Sequence, residues 1–152
     1  THLILGLVYF LIPIAVSIAL KGSVEISVLF LGIAMAFWVA GFDILYALQD
    51  YEFDKSFGLY SIPVKYGIRK AILIARLFHV VTFISLVLTG IFSNLSYIYF
   101  VGILALSLFL IYEHLIIREN DLSKINKAFF TVNGFISIIF SIIVILDVFI
   151  GG

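Results

Sequence analysis

The chain has 152 residues, 64% of them hydrophobic and 12% charged, which is too little polar surface for a soluble domain of this size and is the composition of a membrane protein. Nine basic and nine acidic residues cancel, so there is no basic excess to suggest nucleic acid and no acidic tail to suggest a solvating segment. With no cysteine in the sequence, disulfides and thiol chemistry are excluded, and the compartment stays open.

A bilayer core takes roughly 20 apolar residues as a helix, and five segments approach that length, at about 3–20, 26–49, 68–92, 95–117 and 127–149. The predicted fold is therefore an all-α, polytopic bundle of five transmembrane helices. No Lys/Arg cluster precedes the first run, so it does not read as a signal peptide, and the chain is expected to be part of something longer. Pro13 is placed to kink the first helix, Gly22 and Ser23 to close it, and "SNLS" at 93–96 to turn between the third and fourth. The glycosylation-type triplet at Asn94–Ser96 is read as chance, because so short a motif carries little information.

Orientation follows from the basic residues. Lys55, Lys65, Arg69 and Lys70 follow the second helix and Arg118, Lys124 and Lys127 the fourth, whereas the other two loops offer only Lys21. Both basic loops are expected in the cytoplasm, with Thr1 inside and Gly152 outside.

The second helix runs into "DILYALQDYEFDKSFGLYSIPVKYG", Asp43 to Gly67, which places four acids, Asp43, Asp50, Glu52 and Asp54, within or beside a span. Carboxylates there are expensive and functional by default. On one continuous helix at about 100° per residue, Asp50 and Asp54 fall within about 20° of Asp43, Tyr46 and Ala47 flank that stripe, and Glu52 points away. Two neighbouring carboxylates repel unless protonated or bridged by a cation. With oxygen ligands alone the cation would be hard; Mg²⁺ fits, filling its remaining positions with water and phosphate oxygens, and a diphosphate substrate completes the site. The competing reading pairs these acids with Lys55, Lys65, Arg69 and Lys70 as a solvated loop. Asp43 weighs against it, since Phe42 and Ile44 flank it and no basic residue is near in sequence.

"GFDILYALQDYEFDKSFGLYSIPVKYG" resembles the second aspartate-rich motif of the UbiA family of intramembrane prenyltransferases, roughly D-x-x-Y-A-x-x-D-x-x-x-D-x-x-x-G-x-x-S followed by a glycine. Asp43, Tyr46, Ala47, Asp50, Asp54, Gly58, Ser61 and Gly67 occupy the matching positions. "REND" at 118–121 and "INKAFFTVNG" at 125–134 extend the resemblance with lower specificity. Family members have nine transmembrane helices and two such motifs, so residues 1–152 resemble the C-terminal half; the first, N-D-x-x-D-type motif is absent, and this fragment alone is expected to be inactive.

The resemblance implies Mg²⁺-dependent transfer of a polyprenyl group from its diphosphate to an aromatic acceptor inside a bacterial inner membrane. Asp50 and Asp54 would be metal ligands. Asp43 and Tyr46 would orient the acceptor or take its proton, and Ser61 would contact substrate. "GLYSIP" at 58–63 is similar to bacterial members acting on 4-hydroxybenzoate in quinone biosynthesis; a menaquinone precursor of the futalosine route, a naphthoate or a porphyrin are the alternative acceptors. Tyr51, Phe53 and Tyr60 depart from the family pattern, which bears on phosphate contacts and acceptor choice.

Elsewhere, Arg76 and His79 share a helix face and are candidates to meet the diphosphate or an acceptor carboxylate, against snorkelling for Arg76 and a local hydrogen bond for His79. Glu113, His114, Arg118, Glu119 and Asp121 are read as a solvated loop, and Asp147 as interfacial without a role. Gly32, Ala34, Ala36, Ala40 and Gly41 would allow close helix packing or leave room for an isoprenoid chain. Outside the enzyme class, a transporter part is disfavoured, because transport predicts acids near the midplane on several helices and here they cluster at one end.

Overall fold

In hydrocarbon, backbone N–H and C=O groups must be satisfied within the segment that carries them, and helices do this. The computed structural model describes residues 2–119 and 121–150; Thr1 and Gly152, on which the orientation was framed, and Asn120 of "REND" lie outside the described residues. Five helices are long and apolar enough to cross a membrane. They are α1 (His2–Lys21), α2 (Ile26–Tyr46), α5 (Ile68–Phe92), α6 (Tyr97–Ile116) and α7 (Asn133–Ile150), the last entered through a π-helical turn, Lys127–Val132. Two short helices, α3 (Tyr51–Ser56) and α4 (Ile62–Tyr66), lie between α2 and α5.

The helix ends follow local chemistry. α1 runs through Pro13 without ending and closes at Gly22, whose φ of 69° suits a residue without Cβ. α5 closes on Asn94 at φ 52°, with Leu95 N–H bonded to Gly90 O at 3.0 Å and Asn94 N–H to Ile91 O at 3.2 Å. The Asn94 triplet is thus a helix-stop signal.

At the same end of the bundle, Asp147 reaches from α7 to cap α6. Its carboxylate accepts from the Ser96 and Tyr99 N–H groups at 3.1 and 3.0 Å and from the Ser96 hydroxyl, and the residue is buried. Asp147, expected to have no role, caps this helix: the free N–H groups at a helix start draw the carboxylate inward.

α2 is the hub, packing against α1 on one side and α5 on the other. The small residues serve that packing. A Cβ on Gly32 would lie 2.9 Å from the Phe10 ring, one on Gly6 2.7 Å from Ala36 O, and one on Gly41 2.5 Å from His79 Nε2. Ala71 and Ala75 of α5 are fully buried against Ile44, Leu45 and Leu48. Gly32 and Gly41 serve close approach, whereas Ala34 lines an interior hollow with Leu31, Trp38 and Thr82, and Ala36 and Ala40 both meet Gly6 and line a hollow between α1 and α2.

Because His79 is buried and hydrogen-bonded to His114, its ring cannot swing aside. Gly41→Ala is expected to lower the stability of the complete protein by about 1–3 kcal/mol through overpacking, read from unfolding in detergent; an unchanged midpoint would show that α2 and α5 are not held this tightly.

Candidate functional site at the acidic end

α2 does not continue to residue 49 or beyond. It ends at Tyr46, and residues 47–50 form tightened turns: Leu48, Gln49 and Asp50 N–H groups bond to Leu45, Tyr46 and Ala47 carbonyls at 3.2, 3.1 and 3.3 Å. The physical reason lies in the acids. On an uninterrupted helix Asp50, Glu52 and Asp54 would crowd the negative C-terminal end; the break puts Glu52 and Asp54 in the first turn of α3, with Asp50 as its N-cap and Lys55 in its last turn. Asp54 N–H then bonds to Asp50 O at 2.7 Å, so these two aspartates sit one helical turn apart. The single three-aspartate stripe is therefore replaced by a pair, Asp50 and Asp54, and a separate Asp43 in the last turn of α2.

Asp43 has a partner that sequence distance concealed. His2 Nδ1 lies 2.6 Å from Asp43 Oδ2, and the Ile62 N–H donates to His2 Nε2 at 3.5 Å. That contact makes Nε2 the acceptor, leaving Nδ1–H to donate to the carboxylate. His2 is buried and orients Asp43 while fastening α4 to α1. Strict alternation of spans puts residues 2 and 43 at the same end, which is the signal that would have found this pair.

The remaining motif positions have local structural work. Gly58, at φ 65°, ends α3 with Leu59 N–H bonded to Asp54 O at 2.8 Å and Gly58 N–H to Lys55 O at 3.4 Å. Ser61 Oγ accepts from Val64 N–H at 3.4 Å and caps α4, and Gly67, at φ 84°, swings the chain into α5. Gln49 donates to Asn126 at 2.9 Å, which ties the turn after α2 to the approach to α7.

Beside the acids stands an aromatic wall. Tyr46 packs on Phe129 with ring centroids 4.1 Å apart, Phe42 meets the same ring at 5.4 Å, and Trp38 meets Phe42 at 5.7 Å. Trp38, Phe42 and Phe129 line a hollow of about 270 Å³ with Tyr9, Asn133 and Gly134.

Asp50 and Asp54 make no ion pair among the described residues. Lys55 lies over the Tyr51 ring and Lys65 over the Tyr66 ring, 5.6 and 5.1 Å from the centroids, so the solvated-loop pairing does not form. Two unpaired carboxylates one turn apart, without a nitrogen or sulfur ligand beside them among the described residues, could hold a hard cation. Arg76 opens on the groove between α5 and α6, with His114, Leu115 and Arg118, and forms no ion pair with the three aspartates.

The 113–121 stretch divides. Arg118, Glu119 and Asp121 are exposed, as a solvated loop requires. The Asp121 carboxyl is held below the usual carboxylate range, first by the Ser123 hydroxyl and then by the Ser123 N–H. Glu113 and His114, however, belong to the last turn of α6, with Glu113 buried and His114 on His79. Both lie inside the span expected at 95–117, and it is the solvated reading that fails, because α6 turns them toward His79 of α5 and Asn133 of α7.

These features define a polytopic helical membrane protein whose candidate site is a carboxylate pair, a histidine-oriented aspartate and an aromatic wall at one end of the bundle. The UbiA prenyltransferase family model matches residues 1–139, and the chain belongs to that family. It is 29% identical over 147 residues to the 4-hydroxybenzoate octaprenyltransferase of Francisella tularensis subsp. mediasiatica, covering 96% of this chain and 51% of that protein. Against the 4-hydroxybenzoate octaprenyltransferase of Nitrosospira multiformis it is 30% identical over 142 residues, 93% of this chain and 48% of the relative. The chain thus spans about half the length of the curated relatives it matches. No solved structure matches it.

The contacts predict a division in stability. Asp43→Ala, which strands a buried imidazole N–H, should destabilise the complete protein by about 1–3 kcal/mol, whereas Asp50→Asn and Asp54→Asn should stay within about 0.5 kcal/mol of the unmodified protein. Equal losses at all three positions in thermal unfolding would mean that the pair is structural.

Proposed function

We propose that this chain is the C-terminal half of an enzyme that transfers a polyprenyl group from polyprenyl diphosphate to 4-hydroxybenzoate in quinone biosynthesis, with its acidic end in the cytoplasm of a bacterial inner membrane. The observation that carries the reading is the Asp50/Asp54 pair, one turn apart and free of ion pairs. Family membership and the names of the relatives support the reaction type and the acceptor. A complementary pair of acids would come from the half of the protein outside this chain.

Mg²⁺ held by Asp50 and Asp54 would neutralise the diphosphate and make it a better leaving group. The rest of the reaction is served by the chain's own residues. As the allylic C–O bond breaks, the electron pair leaves with the diphosphate and the ring carbon of the acceptor takes up the allylic carbon. The proton displaced from that ring then needs an acceptor. Asp43, held in orientation by the His2 imidazole at 2.6 Å, is the base for that proton or for the acceptor hydroxyl. Trp38, Phe42 and Phe129 line the neighbouring hollow, and aromatic rings there would favour a developing cation. The apolar bundle keeps the cation from water, which would convert it to the alcohol, and a long isoprenoid is soluble only in such surroundings.

Membranes holding the complete gene product, Mg²⁺, radiolabelled polyprenyl diphosphate and 4-hydroxybenzoate should yield a lipid-soluble prenylated benzoate. Asp54→Asn is expected to cut turnover by at least about a hundredfold, the scale of removing a charge-stabilising group, while Glu52→Gln leaves it near normal. Normal turnover in Asp54→Asn would sink the assignment. EDTA should halt the reaction and Mg²⁺ restore it; turnover indifferent to chelation would remove the metal from the mechanism, and product on another aromatic acceptor alone would move the specificity.

A further inference from the structure

A second polar cluster lies inside the bundle, apart from the aspartates. Glu113 is 1% exposed and His79 4%, and His114 adjoins them. One nitrogen from each histidine and one oxygen of Glu113 fall within 4.8 Å of one another. His79 Nδ1 is 2.9 Å from His114 Nε2 and 3.6 Å from Glu113 Oε2. Three buried atoms of the cluster, Glu113 Oε2, His79 Nε2 and His114 Nδ1, have no hydrogen-bond partner among the described residues.

An ionised Glu113 is poorly accounted for by hydrogen bonds alone. One hydrogen fits between His79 Nδ1 and His114 Nε2, and Glu113 Oε2 has no donor among the described residues. A buried carboxylate oxygen without a partner is among the costliest groups a fold can hold.

The carboxylate is nevertheless fixed in place. Asn133 Nδ2 donates to Glu113 Oε1 at 3.2 Å, and Trp38 Nε1 donates to Asn133 Oδ1 at 3.1 Å. This chain of bonds crosses from α2 through α7 to α6 and leaves Oε2 turned toward the histidines, as outer partners do for ligands of bound metals. On the other side, His79 and His114 line a cleft of about 520 Å³ between α5 and α6, which gives room for a water or another ligand.

We propose that His79, His114 and Glu113 bind one divalent transition-metal ion of the zinc class. Two imidazoles and a carboxylate are borderline-soft donors, unlike the all-oxygen Asp50/Asp54 pair, and three such ligands with an open fourth position suit zinc. A divalent ion takes both facing nitrogen lone pairs and the free carboxylate oxygen together, which no single proton can do. The site is independent of the prenyl-transfer reading. It joins α5 to α6, whose other direct hydrogen bond, from the Tyr99 hydroxyl to Leu86 O at 3.0 Å, lies toward the opposite end of the pair.

The test uses the complete gene product, purified in detergent with excess Mg²⁺ so that the aspartate pair does not compete, loaded with Zn²⁺ and desalted. Metal analysis should find one zinc per chain. His79→Gln and His114→Gln should abolish retention, and Asp50→Asn/Asp54→Asn should keep it. Loading with Co²⁺ should give the intense visible absorption of a tetrahedral nitrogen and oxygen site, lost in Glu113→Gln. Unmodified protein that retains no zinc and shows no such band overturns the proposal without any variant having to fold. So does zinc retained equally by both histidine variants.

Discussion

Helix α2 can pack against α1 and α5 at once because its flanks carry almost no side-chain bulk where these neighbours press closest. Gly41 admits the edge of the His79 ring, Gly32 admits Phe10, and Ala36 and Ala40 lie against Gly6. In lipid there is no hydrophobic force to draw helices together, so close packing and buried polar contacts must do it. With bulkier residues on α2 the spacing to α5 would grow, and His79 would no longer stand where His114 and Glu113 meet it. The end of α2 also decides where the aspartates go. A hub held between α1 and α5 carries its last turn, and Asp43 with it, to a fixed place beside His2.

That geometry gives the two polar regions different characters. The acidic end is held loosely by polar side chains: Asp50 is exposed, Asp54 half-buried, and neither is bound to a basic neighbour. Such groups meet a cation and its phosphate partner at little cost, because they remain hydrated until the ligand arrives. The Glu113 cluster is the reverse, dry and fixed by Asn133 and Trp38. One region is open to solvent and the other is closed within the bundle.

The five spans were legible because length and hydropathy alone define them, and the aspartate stretch because acids are so rare in this chain. The break after Tyr46 was not, since neither Gly nor Pro marks it; the competition is between continuing a helix and placing Glu52 and Asp54 at a fresh N-terminus, which becomes visible only when dipoles are weighed with spacing. His2 and Asp43 are 41 residues apart, and Trp38 and Asn133 are 95 apart. Pairings of that range depend on which helix faces meet, and one sequence with near-uniform apolar faces does not encode that in its periodicity. Glu113 was hidden for a related reason: its position at a span's end is equally natural for a solvated acid.

The π-helical turn at Lys127–Val132 bears on how this segment tolerates change. A wide turn holds one residue more than an α-turn would. Removing one residue there lets the backbone relax into regular α-helix while everything beyond keeps its rotation, because the residue lost is the one the wide turn had added. Asn133 would still face Trp38 and Glu113, and Asp147 the start of α6, whereas a deletion in the regular helix between residues 134 and 146 would rotate Asp147 by about 100° and part it from α6. Residues 127–132 should therefore accept the loss of one residue more readily than the regular turns that follow, and a relative lacking one residue there could keep both ends of its last helix.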